Sequence, residues 1–257
     1  MYDCSMGGAD RRREIVERIR RDGRVAVAEL ALQLETSEVT VRRDLDVLAE
    51  SGVLLRIRGG AVSQLKRGEE LPFSMREIDG ADAKVRIAEM AVSLVRDGEA
   101  IVVDSGTTGL AVARALGGRR LTVMPLSLQA ATVLSGDASI SLLLPGGSTR
   151  FGEGSLVGPL TEANIASLRF DTVVLTCCGV SVAGGVTAHD LSDAAVKRAA
   201  VKAASRTVLV AEGAKFARTA LAVVCQLDEV DVVITDEDAP RDAVSALEGM
   251  GIEVHIV

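Results

Sequence analysis

"IVVDSGTTGLAVARAL", residues 101–116, runs from an apolar, β-branched stretch through Asp104, Ser105, Gly106, Thr107 and Thr108 into a helix-like segment. A strand, a short Gly/Ser/Thr turn and a helix form the unit from which α/β layers are built. Outward from it the alternation continues. Helices are expected over 82–96, 108–116, 193–204 and 241–250. Strands are expected over 100–103, 121–124, 141–144, 172–176, 207–211 and 232–235. This order predicts a largely parallel sheet covered by helices, an α/β domain over 81–257.

The turn has a chemistry of its own. Small residues let backbone N–H groups approach an anion, Ser105, Thr107 and Thr108 add hydroxyls, and a helix start favours negative charge. Plain capping by Thr107 or Thr108, with Gly106 making the turn, accounts for the same residues. No Gly-Lys-Ser/Thr follows and no GxGxxG occurs, so neither nucleotide-binding loop is present. "PGGSTR" supplies a second approach, with Gly146, Gly147 and Arg150 directly after a strand. Lys197 stands four residues after Asp193, where a surface ion pair is the simpler account. Lys215 follows "TVLVAE" at a strand's C-terminal end, where open α/β sheets place ligands, although a solvated loop lysine would look alike.

The first third reads differently. "RRREIVERIRRDG", "VAVAELALQLE" and "EVTVRRDLDVLAESG" carry apolar stripes at helical spacing: Ile15, Val16, Ile19; Val27, Leu30, Ala31, Leu34; Val41, Leu45, Leu48. Ser37 is placed to cap the third helix and Gly52 to stop it. "VLLRIRGGAV" then alternates like a strand and turns at Gly59-Gly60. Two helices, a turn, a third helix with a polar start and a Gly-Gly hairpin make a winged helix-turn-helix over 9–63. Ser37, Glu38, Thr40, Arg42 and Arg43 are left at the end of the third helix that enters a major groove, with Arg56 and Arg58 on the wing against the backbone. Arg42 can instead pair with Glu38 or Asp46 on an ordinary solvated face. Residues 64–80, polar and interrupted by Pro72, are expected to be a linker.

Composition agrees with a two-part chain. Of 257 residues 48% are hydrophobic and 2% aromatic, with no Trp, so a sizeable core can form but stacking platforms for single strands cannot. The net charge is −7, yet residues 1–68 carry 13 Lys/Arg against 11 Asp/Glu and the remainder 16 against 25. Only the first part can meet DNA without net repulsion. Non-specific binding should be modest and salt-sensitive. Cys4, Cys177, Cys178 and Cys225 show no CxxC spacing and read as free thiols, with no metal site. The start of the sequence lacks the apolar core of a signal peptide, and no run reads as a membrane span, so a cytoplasmic location is expected. His189 and His255 are the two histidines, GxSxG and HExxH are absent, and neither catalysis nor a cofactor is expected.

"VTVRRDLDVLAESGVLLRIRGGAV" closely resembles the signature of the DeoR-type bacterial transcriptional regulators. "ELPFSMRE", "KVRIAEMA", "VDSGTTGLAVARAL", "LLPGGSTR", "LSDAAVKRA" and "GAKFARTAL" follow the same family's order, from about residue 11 to 236. The resemblance implies a C-terminal domain similar to sugar-phosphate isomerases that binds a phosphorylated sugar as effector. It also implies a homo-oligomer, dimer or tetramer, on double-stranded operator DNA, more usually as a repressor of sugar-metabolism genes. An isomerase-like enzyme fused to a DNA-binding module, and a ligand-independent DNA-binding protein, are the alternatives. Carried over by motif, Asp104, Ser105, Gly106, Thr107 and Thr108 would hold the phosphate end, and Gly146, Gly147, Arg150, Lys197 and Lys215 would line the same pocket. Two departures stand out. The family's Thr-Asn-Ser is replaced around Met124, Pro125, Leu126 and Ser127, and the family's Asp before the lysine is Glu212. Both point to an altered or less polar effector.

Overall fold

The computed structural model describes residues 7–50, 52–63, 71–216 and 218–257. The chain divides into two compact units between Asp79 and Gly80.

The first unit runs α1 (Gly8–Asp22), β1 (Arg24–Ala26), α2 (Val27–Gln33), α3 (Glu38–Glu50), β2 (Leu54–Ile57), β3 (Gly60–Ser63) and α4 (Phe73–Ile78). The apolar stripes of α1, α2 and α3 close on one another, burying Ile15, Ile19, Leu30, Val41, Leu45 and Leu48 in one cluster. Two of these helices, α1 and α3, stop where the sequence provides a glycine. Gly23 takes a left-handed φ of 74° and donates its N–H to Ile19 O. At the end of α3, Gly52 and Val53 donate to Ala49 O and Leu48 O, the paired bonds of a Schellman motif.

β2 and β3 form the hairpin, and β1 pairs with the other edge of β3. The two glycines of the turn do different things. Gly59 supplies a φ of 78°, and Gly60 lies so close to β1 that a Cβ would stand 2.1 Å from Val25 O.

The expected linker over 64–80 is corrected in its second half, its first residues lying outside the described ones. Pro72 does not break structure here but begins α4 as its N-cap. Proline is tolerated there because no intrahelical N–H is required of it. Leu71 and Met75 pack against the helical cluster, and Asp79 pairs with Arg13 at 2.8 Å. Within α4 itself Phe73 is buried and Met75 packs on the cluster, while Ile78 stays exposed, in a helix too short to show a period.

The second unit runs α5 (Ala81–Ser93), β4 (Ala100–Val103), α6 (Gly106–Ala115), β5 (Leu121–Pro125), α7 (Leu128–Leu134), β6 (Ile140–Leu142), β7 (Ser148–Thr149), β8 (Leu156–Val157), α8 (Pro159–Ala166), β9 (Phe170–Leu175), β10 (Gly179–Ser181), β11 (Gly185–Ala188), α9 (Leu191–Ala203), β12 (Ala204–Val210), β13 (Ala222–Cys225), β14 (Val232–Thr235), α10 (Arg241–Gly249) and β15 (Glu253–Ile256). Seven strands form one sheet in the order β15-β14-β12-β9-β4-β5-β6, and every pairing in it is parallel. Alternate strand residues bury on opposite faces. Ile101, Val103, Val174 and Ile234 pack with residues of α5, α6 and α7, while Val102, Val173, Leu209 and Val233 pack with residues of α8, α9 and α10.

The chain enters this sheet at β4, proceeds outward through β5 and β6, then returns to β9 on the other side of β4. The order therefore reverses between β4 and β9. At such a switch point the connections leave in opposite directions and open a crevice at the strands' C-terminal ends. The small antiparallel sheet β10-β11-β13 and the helices α7 and α8 were not expected from the sequence. Among the described residues no helix is long and apolar enough to cross a membrane.

Candidate functional site

The first unit presents α3 and the wing. Ser37 caps α3: its Oγ accepts the Thr40 N–H at 3.1 Å and lies 2.8 Å from Thr40 Oγ1. The four arginines expected on DNA separate into two kinds. Arg43 and Arg58 are exposed and have no side-chain partner among the described residues. Arg42 is ion-paired with Glu38, the solvated-face alternative of the sequence reading. In Arg56, Nε donates to Asp46 Oδ1 and Nη1 to Gly60 O, each at 2.9 Å. This side chain braces the wing against α3.

Asp44 was missed. It lies at an inward position of α3, is 3% exposed, and accepts from Arg11 Nε at 2.6 Å and Arg12 Nη1 at 3.4 Å. Its spacing from Val41, Leu45 and Leu48 was a usable signal, since a carboxylate on a buried stripe demands a cation.

In the second unit the quoted turn falls at the reversal of strand order. Asp104 directly follows β4 and is 1% exposed. Its Oδ1 accepts the Ser105 N–H at 2.7 Å; its Oδ2 accepts the N–H and the hydroxyl of Thr176, each at 2.9 Å, across the gap to β9. The same Oδ2 accepts from Lys197 Nζ on α9. Lys197 is 2% exposed and also faces Asp193 Oδ2 at 3.6 Å. Burial opposes the lysine's charge, but Asp104 and Asp193 outweigh it and hold its pKa above the usual lysine value. Burial pushes the Asp193 carboxyl up, Asp104 adds to the shift, and Lys197 and Arg150 oppose it. The surface ion pair expected for Lys197 is thus a buried cluster of one ammonium and two carboxylates.

Around this cluster the turn keeps its backbone open. α6 begins at Gly106, and neither Thr107 nor Thr108 caps it; both are buried in its first turn. Ser105 is the N-cap residue, but its hydroxyl donates to Asp193 Oδ1 at 3.3 Å and makes no capping bond. The simple capping account therefore does not describe this turn. First-turn N–H groups without a side-chain acceptor are the donors an anion takes. Gly109 was also missed: a Cβ there would stand 2.0 Å from Asp104 O, so a glycine is needed for α6 to pack on the end of β4.

The remaining expected residues join less directly. Arg150 Nε lies 3.3 Å from Asp190 Oδ2, and Asp190 caps α9 by accepting the N–H of Ser192 and of Asp193. Gly146 and Gly147 take φ of 72° and 95° and are held by α8, where Thr161 Oγ1 donates to Gly146 O at 2.8 Å. Lys215 sits in a single turn of 3-10 helix after β12, half-buried. Glu212 pairs with buried Lys84 at 3.3 Å, a lysine not singled out from the sequence. Met124 and Leu126 are core residues, and Ser127 caps α7, so the apolar replacements are enclosed within the fold and not displayed. Cys177 and Cys225 are buried and Cys178 is half-buried; burial, with Glu229 and Asp228 nearby, pushes the Cys225 thiol up to about 12.

Comparison with known proteins matches both units. A DeoR-like helix-turn-helix domain fits residues 11–67, and a DeoR C terminal sensor domain fits residues 80–237. The HTH-type transcriptional regulator YulB of Bacillus subtilis (strain 168), itself uncharacterized, is 32% identical over 249 residues, covering 97% of this chain and 96% of its own. The glycerol-3-phosphate regulon repressor of Haemophilus influenzae is 32% identical over 238 residues, covering 92% of each. Among solved structures, ribose 5-phosphate isomerase A of Methanocaldococcus jannaschii is similar over 54% of this chain and 55% of that one, with 17% identity and a TM-score of 0.40.

Proposed function

The chain belongs to the DeoR family of transcriptional regulators, and from that premise we propose that it is a cytoplasmic repressor of sugar-metabolism genes, released from its operator by a phosphorylated sugar. The observation that carries the effector half is the Asp104–Lys197 pair at the break in strand order, beside an uncapped helix start. The phosphate is taken by the N–H groups of Gly106, Thr107 and Thr108, with Lys197 as the fixed charge behind them. Asp104, an anion whose lone pairs are already engaged, does not touch the phosphate but orients Lys197 and the turn. Ser105 links the turn to Asp193. Arg150 stands at the rim, and Gly146, Gly147 and Lys215 complete the same crevice.

Residues 9–63 carry the DNA contact, through Ser37, Thr40, Arg42 and Arg43 on α3 and Arg58 on the wing, with Arg56 positioning the wing. Residues 81–257 carry the sensor. A homo-oligomer, dimer or tetramer, presents paired α3 helices to a repeated site. Ligand shifts DNA affinity by as much as its own affinity differs between the two arrangements of those helices.

The test is fluorescence anisotropy of the full chain on DNA from upstream of its own gene, at fixed salt, with phosphorylated sugars and their free counterparts. Weakened binding with one sugar phosphate, and none with its free sugar, is the expected result. Operator binding indifferent to every phosphorylated compound would sink the effector half.

A further inference from the structure

Helix α3 has two solvent faces set one residue apart, and they are built differently. Glu38, Arg42 and Asp46, spaced i, i+4, i+8, form a closed ladder: Arg42 is paired with Glu38, and Asp46 with Arg56. Val39, Arg43 and Val47 repeat the spacing one position on. Val39 is 72% exposed, Val47 is 43% exposed, and Arg43 has no side-chain partner among the described residues. Thr40, whose hydroxyl meets the Ser37 cap, borders this second face. Together with Arg12 of α1 these residues line a shallow groove.

The second face gains nothing from standing in water. Valine loses side-chain freedom in a helix and recovers none of that loss at an exposed position. The closed face would have to break an ion pair before its arginine could bind a base. Arg43 would not.

We propose that Val39 and Arg43 read bases in the operator: Arg43 with its fork on the O6 and N7 of a guanine, and Val39 with its methyls against the 5-methyl of a thymine. This rests on the DNA-binding reading above and adds to it the residues that discriminate sequence. The major groove is the one surface that offers both features side by side, a pair of acceptors for a planar cation and an isolated methyl for an apolar side chain. The two residues are one helical turn apart, about 6 Å along the axis, against a spacing of about 3.4 Å between successive bases on a strand. The guanine and the thymine therefore lie within about two base pairs of each other in each half-site.

The test separates a methyl contact from general affinity. An operator is selected from random duplex DNA with the full-length protein, and each thymine is replaced singly by uracil, which removes the 5-methyl alone. One uracil per half-site, close to a guanine, is expected to weaken binding by about four-fold, the worth of one buried methyl. Val39→Ala, at an exposed helical position that alanine suits, should bind the thymine operator about as weakly as the wild type binds the uracil one, and should not distinguish the two. A Val39→Ala variant that keeps the full thymine preference would overturn the proposal. So would a change in oligomeric size with the thymine preference untouched, which would make this face a contact between copies. If no operator can be selected at all, the DNA-binding reading fails and takes this one with it, whereas a selected operator without a Val39-dependent thymine defeats the proposal alone.

Discussion

Lys197 Nζ donates to Asp104 Oδ2 across the gap where strand order reverses, joining α9 to the end of β4 over 93 residues of chain. The pair ties the two sides of the crevice together through Thr176, which donates to the same carboxylate from the end of β9. Under the proposed function, a phosphate at the start of α6 would meet an ammonium already oriented by Asp104.

Breaking this pair unbalances a buried cluster: Asp104→Asn leaves Lys197 only Asp193, at 3.6 Å, and Lys197→Met leaves two carboxylates with no ammonium between them. Asp104→Asn and Lys197→Met should each lower the stability of the second unit by about 3–5 kcal/mol. The double variant should lose less than the sum, because the contact between the two side chains is lost in each single variant and is counted only once when both are gone. Urea unfolding of all four proteins gives the cycle; additive losses would show that the two side chains act independently.

The Asp193 carboxyl has a pKa above its ordinary 3.8, chiefly through burial. The folded chain therefore holds this proton to higher pH than the unfolded chain does, and stability falls as pH rises from the ordinary carboxyl range through the raised value. Asp193→Asn should flatten that limb in midpoints measured upward from the ordinary carboxyl range. Lys197 does not enter this window. Its pKa is raised, so its contribution is complete below the ordinary lysine range and is lost only as pH climbs beyond it.

Arg56 and Arg58 sit two residues apart on one hairpin and should fail differently. Arg56→Ala removes two hydrogen bonds that brace the wing and should cost about 1–2 kcal/mol of stability in the first unit. Arg58→Ala should leave stability within about 0.5 kcal/mol, weaken DNA uniformly across sequences, and reduce the slope of affinity against salt by about one. Thermal unfolding and a salt titration of operator binding distinguish them. Equal effects on both readouts would contradict the division of roles.

Gly60 and Gly109 are required by contact with backbone and not by their own φ. A Cβ would come within 2.1 Å of Val25 O at Gly60 and 2.0 Å of Asp104 O at Gly109. Alanine at either site should destabilise its own unit by about 1–3 kcal/mol, the usual range for overpacking, or more, because a backbone oxygen cannot rotate away. Gly109→Ala should also blunt the response to a phosphorylated ligand, since α6 must shift off the end of β4. An alanine variant as stable as the wild type would show that the backbone yields easily there.

Much of this was legible along the chain. Stripes such as Val41, Leu45 and Leu48 announced α3, and "IVVDSGTTG" announced the strand, the turn and the helix, because each pattern is a relation between near neighbours. Shorter elements escaped. α7 and α8 span 7 and 8 residues, too few turns for a period to stand out, and β10, β11 and β13 are 3 or 4 residues long. α4 was concealed by the proline that starts it.

The sequence by itself determined the division into two parts, the types of their longer elements and the small-residue turn, since propensity, capping and burial stripes act over a few residues. Only the tertiary structure decided that Arg56 bonds to Asp46 and Gly60 while Arg43 has no side-chain partner among the described residues, that Asp104 serves Lys197, and that the turn lies where strand order reverses. Those are relations between side chains far apart in sequence. Which carboxylate meets which cation depends on how strands and helices are stacked, and no local pattern carries that information.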